Sequence, residues 1–244
     1  MQVKKLCLIV MIAASTALPD ARQGAASLFN GRDLTGWKVP AGDGGHWKVV
    51  DGVIDYDAAS EAPGDKSLWT EASYGDFVMR VDWRLKATPY VNPNVPIIRF
   101  DGTHKKDADG REIRIPVPDA DSGIYLRGSS KAQVNIWAWP IGSGEVYGYR
   151  TDAAMPPAVR AGVTPSKNAD RHIGDWNTFE ITMRGDRLTV VLNGETVIRN
   201  AALPDVPARG PIALQHHGAK QNGVWTSPPS LVQFRNLSIQ ELTP

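Results

Sequence analysis

The most regular alternation of apolar and polar residues in the chain runs from Asp76 to Lys86. Its odd-numbered positions, from Phe77 to Leu85, are all apolar, whereas most of its even-numbered positions are charged. Because successive side chains of a β-strand point to opposite faces, this spacing places the apolar side chains together on one side. The pattern predicts an antiparallel strand with one face in the core and the other in solvent.

Shorter segments of the same kind recur along the chain, separated by residues that favour turns. Asp51-Gly52 and Asn193-Gly194 each stand between two apolar runs and predict tight hairpins. In the last predicted strand the alternation slips near Arg235-Asn236, as a β-bulge would cause. Roughly a dozen short strands with little helical periodicity predict an all-β sandwich. Since no repeat or linker divides the chain, we expect one domain over residues 27–244.

The segment from Asp119 to Trp137 is unusual because the polar faces of its two predicted strands carry few simple solvating residues. We expect a hairpin with its turn at residues 128–130. Strand alternation would then place five side chains on one surface: Tyr125, Arg127, Gln133, Asn135 and Trp137. A surface of amide, guanidinium and aromatic groups suits a sugar-like ligand, which offers hydroxyls to bond and ring faces to stack on.

Residues 87–120 are rich in proline and charge and read as an excursion inserted between two strands of the sandwich. Residues 95–100 and 111–117 are predicted to pair as a hairpin whose prolines favour an edge position. A long irregular segment is expected from residue 150 to His172, and loops of that length in compact domains are commonly functional.

Composition narrows the classes of function. The 244 residues carry a formal net charge of +1, and no basic run occurs, which argues against a nucleic-acid partner. The first 26 residues have the form of a signal peptide, with Lys4-Lys5, an apolar run too short for a stable membrane span, and cleavage between about residues 17 and 26. Cys7, the only cysteine, lies in that segment. We therefore expect a secreted or periplasmic protein without disulfides.

Eight short motifs occur in a fixed order along nearly all of residues 27 to 242: Leu28–Trp37, Trp47–Ile54, Leu68–Thr70, Tyr74–Phe77, Ser122–Gly128, Gly174–Asn177, Leu192–Gly194 and Arg209–Gly218. As a set they resemble the 3-keto-disaccharide hydrolase domain family, whose members are also described as 3-keto-glucoside-1,2-lyases and 3-keto-2-hydroxyglucal hydratases. The resemblance implies a concanavalin A-like jelly-roll β-sandwich and a carbohydrate substrate already oxidised to a ketone at C3.

The chain departs from the family pattern by the long insertion of residues 87–120 and by changes at three further places. Asp121 stands where asparagine is usual, and Gln133-Val134-Asn135 replaces a common Glu-Val-Gln run. His216 occupies a position that is frequently aspartate. All three changes lie in or beside the site that the resemblance implies.

The implied chemistry needs three kinds of group. A C3 ketone acidifies the C2 proton, so a base can remove it and the enolate can expel the aglycone from C1. Water then adds to the product, and the net reaction is hydrolysis. We expect His217 as the base, Arg127 as the group that stabilises the enolate, and Glu145 and Asp121 as further acid or base candidates.

We also expect six polar and aromatic side chains of the predicted strands to bind the substrate: Tyr125, Gln133, Asn135, Trp137, Gln215 and Trp69. Structural roles are open for several candidates, since a strand histidine is often structural, Arg127 can form an internal ion pair and tryptophans often pack in the core. No cofactor or metal site is predicted, because the sequence shows no dense ligand spacing. A divalent cation near His216 and His217 is left open.

Two other functions are compatible with a sandwich of this kind. A non-catalytic carbohydrate-binding module shares the fold, and fold alone does not decide function. A retaining glycosidase would need two carboxylates about 5 Å apart. The Glu-x-Asp-x-x-Glu strand motif of such enzymes does not occur here, so the glycosidase is disfavoured. A groove in which His217, Arg127 and a carboxylate converge would favour an enzyme over a binding module.

Overall fold

The computed structural model describes residues 24–243 and contains two packed antiparallel sheets, a two-stranded excursion and two short helices. The predicted signal peptide lies mainly outside these residues. The elements, in chain order, are β1 (Ala26–Ser27), β2 (Trp37–Lys38), β3 (Lys48–Val50), β4 (Val53–Tyr56), β5 (Leu68–Thr70), β6 (Phe77–Leu85), β7 (Tyr90–Pro96), β8 (Arg114–Asp119), β9 (Asp121–Leu126), β10 (Ser129–Trp137), α1 (Tyr147–Arg150), α2 (Pro157–Gly162), β11 (Asn177–Arg184), β12 (Arg187–Leu192), β13 (Glu195–Ala202), β14 (Ala213–Leu214), β15 (Lys220–Gln221), β16 (Val224–Trp225) and β17 (Val232–Glu241).

The larger sheet has the order β13-β12-β11-β6-β17-β4-β3, with β1 paired to the outer part of β17. β6 lies in its middle, and the apolar side chains from Phe77 to Leu85 are buried as the alternation predicts. The β-bulge predicted near Arg235-Asn236 is confirmed, because the β17–β6 register shifts between Arg235 and Ser238. Asn236 there has a φ of 52°.

The smaller sheet has the order β10-β9-β14-β5-β2. Its inner face carries Ile124, Val134 and Leu214, which are fully buried against the larger sheet. The two sheets enclose one hydrophobic core. The predicted all-β jelly-roll sandwich is confirmed, and its core covers the inner face of the smaller sheet.

The β9–β10 hairpin differs from the prediction at its turn. The turn lies at Arg127-Gly128, whose φ angles are 51° and 74°, and not at residues 128–130. Since a left-handed residue breaks strand alternation, Arg127 does not share the surface of the other four side chains. The expectation that Arg127 faces the ligand surface is therefore wrong. Register instead pairs Gln133 with Tyr125 and Trp137 with Asp121.

The excursion forms a separate two-stranded sheet of β7 and β8, as the sequence predicts. Isolated bridges continue it outward between Ile98 and His104 and between Lys106 and Glu112. The outer part reaches α1, where Arg150 Nη1 lies 3.0 Å from His104 Nε2. The segment expected to be irregular, from residue 150 to His172, contains α2, and α1 ends at its first residue, Arg150. Within residues 24–243, no helix is long and apolar enough to cross a membrane.

Candidate functional site

A groove of about 330 Å³ opens on the outer face of the smaller sheet. Its floor comes from β9, β10 and the segment after β14, and its walls come from the base of the excursion, α1 and the loop before β17. Six predicted site residues meet there: Asp121, Gln133, Asn135, Trp137, Gln215 and His217. The remaining lining residues are Asn92, Asp119, Trp139, Tyr147 and Pro228.

His217 and Asp121 form the titratable centre of the groove. His217 Nε2 lies 3.8 Å from Asp121 Oδ2, and the two side chains are 36% and 22% exposed. His217 Nδ1 lies 2.5 Å from the backbone carbonyl oxygen of Pro228. A carbonyl oxygen can only accept a hydrogen bond, so Nδ1 carries the proton and the neutral ring presents an unprotonated Nε2 towards Asp121.

Ser230 ties the two sides of this pair together. Its hydroxyl donates to the backbone oxygen of Asp121 at 2.7 Å and accepts the backbone N–H of His217 at 2.6 Å. The Ser230 N–H also donates to the His217 carbonyl at 2.9 Å. The side chain is fully buried, so one serine fixes the spacing between β9, which carries Asp121, and the segment after β14, which carries His217.

The environment of Asp121 favours its protonated form. Burial raises the pKa of Asp121 to about 7, with a further rise from the Asp119 carboxylate and an opposing effect from His217. Asp121 Oδ1 is buried and has no hydrogen-bond partner among residues 24–243. A carboxyl group that holds its proton near neutral pH, beside an imidazole with a free nitrogen, is suited to proton transfer in both directions.

Asp119 is the neighbouring carboxylate and is fully buried. Its Oδ2 accepts hydrogen bonds from Trp139 Nε1 at 2.8 Å and from Asn92 Nδ2 at 3.1 Å. Burial raises the pKa of Asp119 as well, although both bonds oppose the rise. Asn92 belongs to the excursion, so this inserted segment supplies a wall of the groove.

An amide layer forms the floor. Gln133 Nε2 donates to Gln215 Oε1 at 2.6 Å and to the Ser122 carbonyl at 3.2 Å. The Gln133 side chain lies across Gly123, where an added Cβ would be 2.7 Å from Gln133 Cγ. Glycine at position 123 therefore allows the amide to lie flat over the sheet.

Aromatic rings close one end of the groove. Trp137 and Trp139 stack with centroids 4.2 Å apart and planes 6° apart, and Tyr147 meets Trp137 edge-on at 6.2 Å. Trp137 Nε1 donates to the Gly142 carbonyl at 2.7 Å. Trp137 is buried, so the partly exposed Trp139 is the indole that offers a fixed plane for stacking on a sugar ring.

Tyr125 and Trp69 lie on the same sheet but outside the groove lining. Their rings stack at 5.6 Å, and Trp69 Nε1 donates to Asp65 Oδ2 at 2.6 Å. They extend the floor sideways and do not contact the titratable pair.

Arg127 lies away from the groove and is 1% exposed. Its guanidinium donates to the carbonyls of Gly75 and Gly185, at 2.8 and 2.6 Å, and to Asp76 Oδ1 at 2.8 Å. These bonds engage the guanidinium in joining separate loops, so its geometry is that of a structural residue.

Glu145 is also outside the groove lining and fully buried. Arg150 Nε lies 2.7 Å from Glu145 Oε1, while burial raises the pKa of Glu145 to about 7 against the opposing effect of that guanidinium. The neighbouring backbone does reach the site, because the Glu145 carbonyl accepts the N–H of Asn135 at 2.9 Å. The carboxylate itself holds α1 and not a ligand.

His216 points away from His217, as strand alternation requires. Its Nδ1 lies 2.7 Å from the Tyr56 hydroxyl, and burial lowers the pKa of His216 to about 4. Within residues 24–243, no cluster of three or more His, Cys, Asp or Glu side chains is arranged to hold a metal ion.

Several lining residues were not predicted. Asp119 and Trp139 continue the two-residue alternation of Asp121 and Trp137, so extending the strand pattern by one step would have found both. Asn92, Tyr147 and Pro228 come from distant segments that carry no signal for this groove.

Residues 24–240 match the sequence profile of the 3-keto-alpha-glucoside-1,2-lyase-like domain. The chain belongs to this family. The match spans almost all of the described sandwich, including both strands of the β9–β10 hairpin and the segment with His217.

Solved structures with the same fold come from Parabacteroides distasonis ATCC 8503. One proposed glycosyl hydrolase has a TM-score of 0.57 and 22% identity, covering 90% of this chain and 84% of its own. A second has a TM-score of 0.55 and 19% identity, covering 91% and 95% respectively. No curated protein matched the chain. Family membership and a sugar-sized groove indicate a carbohydrate-active protein.

Proposed function

We propose that the protein is an exported enzyme that cleaves glycosides oxidised to a ketone at C3, by removal of the C2 proton and elimination of the aglycone. The observation that carries the proposal is the His217–Asp121 pair, 3.8 Å apart in the groove. Export rests on the signal-peptide pattern of residues 1–26.

His217 is the proposed base. The Pro228 carbonyl holds the proton on Nδ1, so the lone pair on Nε2 is directed into the groove and is available for the C2 proton. The 3.8 Å separation from Asp121 Oδ2 exceeds hydrogen-bond length, which leaves Nε2 free to approach a substrate carbon.

Asp121 is the proposed acid. Its raised pKa keeps a proton on the carboxyl near neutral pH, and this proton passes to the departing aglycone oxygen. His217 takes the C2 proton, the C1–O bond breaks with its electron pair leaving on oxygen, and an unsaturated ketone remains. The pair is then imidazolium and carboxylate.

Hydration restores the starting state. The Asp121 carboxylate removes a proton from water as its oxygen adds to C1, and the His217 imidazolium returns a proton to C2. The two steps together consume one water and regenerate both side chains. Asn135 and Tyr147, which border the groove, are the proposed hydrogen-bond donors to the enolate oxygen.

The charge of the groove lining favours an uncharged 3-keto sugar over a negatively charged uronate as the substrate. Its lining contains two carboxylates, Asp119 and Asp121, and no lysine or arginine. A uronate would bring a further negative charge without a partner, which is unfavourable in a partly desolvated site. An uncharged C3 ketone acidifies the C2 proton without that penalty.

The same features favour an enzyme over a binding module. Aromatic and amide groups alone would serve binding, whereas a histidine with an oriented lone pair and a carboxyl with a raised pKa are more typical of catalysis. Of the three groups expected to converge, His217 and a carboxylate do so, and Arg127 does not.

The test uses a 3-keto-glucoside with a chromogenic phenolic leaving group, and the same glucoside without the ketone. We expect the wild type to release phenol only from the oxidised compound and to exchange its C2 hydrogen in heavy water. His217→Gln should slow release by a factor of about 10² to 10⁴. The control is His46→Gln, since His46 contacts Asp57 outside the groove. Binding of the oxidised sugar without release or exchange by the wild type would refute the enzyme.

A further inference from the structure

A second cavity of about 500 Å³ adjoins the groove and shares Trp137 and Trp139 with it. Its other walls are the base of the excursion, at Thr88, Val117 and Pro118, and the loop that leads to β11. The two cavities therefore meet at the stacked tryptophans, which stand at the end of the groove nearest Asp119.

Within the tryptophan pair, Trp139 presents the surface that a ligand can reach, because Trp137 is only 3% exposed. Trp137 is anchored to the Gly142 carbonyl and Trp139 to Asp119, while Trp139 keeps part of its surface exposed. Fixed indole planes provide stacking surface with little loss of side-chain entropy on binding.

The second cavity differs from the groove in chemistry. Val117, Pro118 and Ile173 supply apolar walls, and Ile173 is 47% exposed. Asp170, Arg171 and His172 supply polar groups at its edge. A cavity of this volume and mixed lining suits a single sugar or phenolic ring.

The position of His217 and Asp121 indicates which part of the substrate the second cavity would hold. The sugar that loses its C2 proton must lie against His217 and Asp121. Before cleavage, the group attached at C1 must therefore extend beyond the groove. The second cavity adjoins the groove at Trp137 and Trp139, and its volume is large enough for that group.

We propose that the second cavity is the aglycone subsite, which holds the uncharged sugar or aromatic ring attached at C1, stacked against Trp139. This inference rests on the proposed function, because it takes the groove as the site of the oxidised sugar. The excursion then contributes to substrate choice, since Thr88, Val117 and Pro118 belong to its base.

The experiment compares two substrates with the same 3-keto-glucosyl unit, one with a methyl aglycone and one with a glucosyl aglycone. Thr88→Phe fills the cavity, and Ile173→Ala removes apolar wall at an exposed position. We expect Thr88→Phe to lower kcat/KM for the disaccharide by about tenfold and Ile173→Ala by about threefold. The methyl glycoside should change by less than about twofold. Thr35→Phe, at an exposed threonine that lines neither cavity, is the matched control.

Equal losses for both substrates, or no loss for either in both variants, would overturn the aglycone subsite. If the wild type cleaves neither substrate, calorimetric titration with the same two compounds tests the subsite independently of cleavage. The subsite then requires tighter binding of the disaccharide than of the methyl glycoside, and loss of that difference in Thr88→Phe. Failure of cleavage with this binding pattern intact would reject the proposed function alone.

Discussion

His217 Nε2 faces Asp121 Oδ2 at 3.8 Å, while the opposite ring nitrogen of His217 is held by the Pro228 carbonyl. The Pro228 contact defines the tautomer of the neutral imidazole and leaves its Nε2 beside a carboxyl with a raised pKa.

The raised pKa of Asp121 predicts how the activity depends on pH. Because its pKa is raised to about 7 from an ordinary 3.8, the acid form required for aglycone departure is present below about pH 7 and lost above it. We expect kcat/KM of the wild type to fall as pH rises through about 7. In Asp121→Asn this alkaline fall should disappear, and activity at pH 6 should drop by about 10². An unchanged alkaline limb in the variant would assign it to another group.

The same shift predicts a change in stability. Between the ordinary and the raised pKa, the folded protein binds more protons at Asp121 than the unfolded chain does, so this residue lowers the free energy of unfolding as pH rises from about 4 to about 7. Urea unfolding of Asp121→Asn across this range should lack that component of the slope. A slope identical to wild type would show that Asp121 titrates normally.

Ser230 is predicted to position the reacting pair. Removing its hydroxyl in Ser230→Ala leaves the Asp121 carbonyl and the His217 N–H without their shared partner. We expect kcat to fall by about tenfold with KM nearly unchanged, since a small misplacement affects proton transfer more than sugar binding. Ser230→Thr, which keeps the hydroxyl, should recover part of the loss. Ser166→Ala at an exposed position is the control, and equal effects in both would indicate no positioning role.

Gly123 is predicted to control the amide floor. In Gly123→Ala the new Cβ displaces Gln133 and breaks its bond to Gln215. We expect KM to rise by about tenfold with a smaller change in kcat, because a hydrogen-bonding group for the sugar is misplaced. Gly162→Ala, where the added Cβ would meet only an ordinary contact at 3.7 Å, is the matched control. An unchanged KM in Gly123→Ala would remove Gln133 from the binding surface.

Arg127 is predicted to matter for stability and not for chemistry. Arg127→Met removes the buried guanidinium that donates to Asp76 and to two loop carbonyls. We expect the free energy of unfolding to fall by about 3 kcal/mol. Arg111→Met, at an exposed ion pair with Asp109, should cost less than about 0.5 kcal/mol. Activity per folded molecule should stay within about twofold of wild type, and a loss of several hundredfold would instead make Arg127 part of the site.

The sequence alone determined the sheets and much of the groove floor. Alternation along residues 76–86 predicts β6, the Asn193-Gly194 pair predicts a hairpin, and the polar face of the β9–β10 hairpin contains Gln133, Asn135 and Trp137. These are local properties, because side-chain direction in a strand follows from the two-residue period of the backbone. The same period also predicts that His216 and His217 point to opposite sides.

Only the tertiary structure decided which polar residues meet. Arg127 belongs to the same sequence stretch as the groove residues. Its left-handed φ, however, directs the side chain away from the groove, where it bonds to Asp76. Pro228 and Asn92 reach the groove from segments far away in the chain, and the tautomer of His217 depends on the first of them. Such contacts depend on how loops close over the sheet, and alternation within a strand carries no information about that closure.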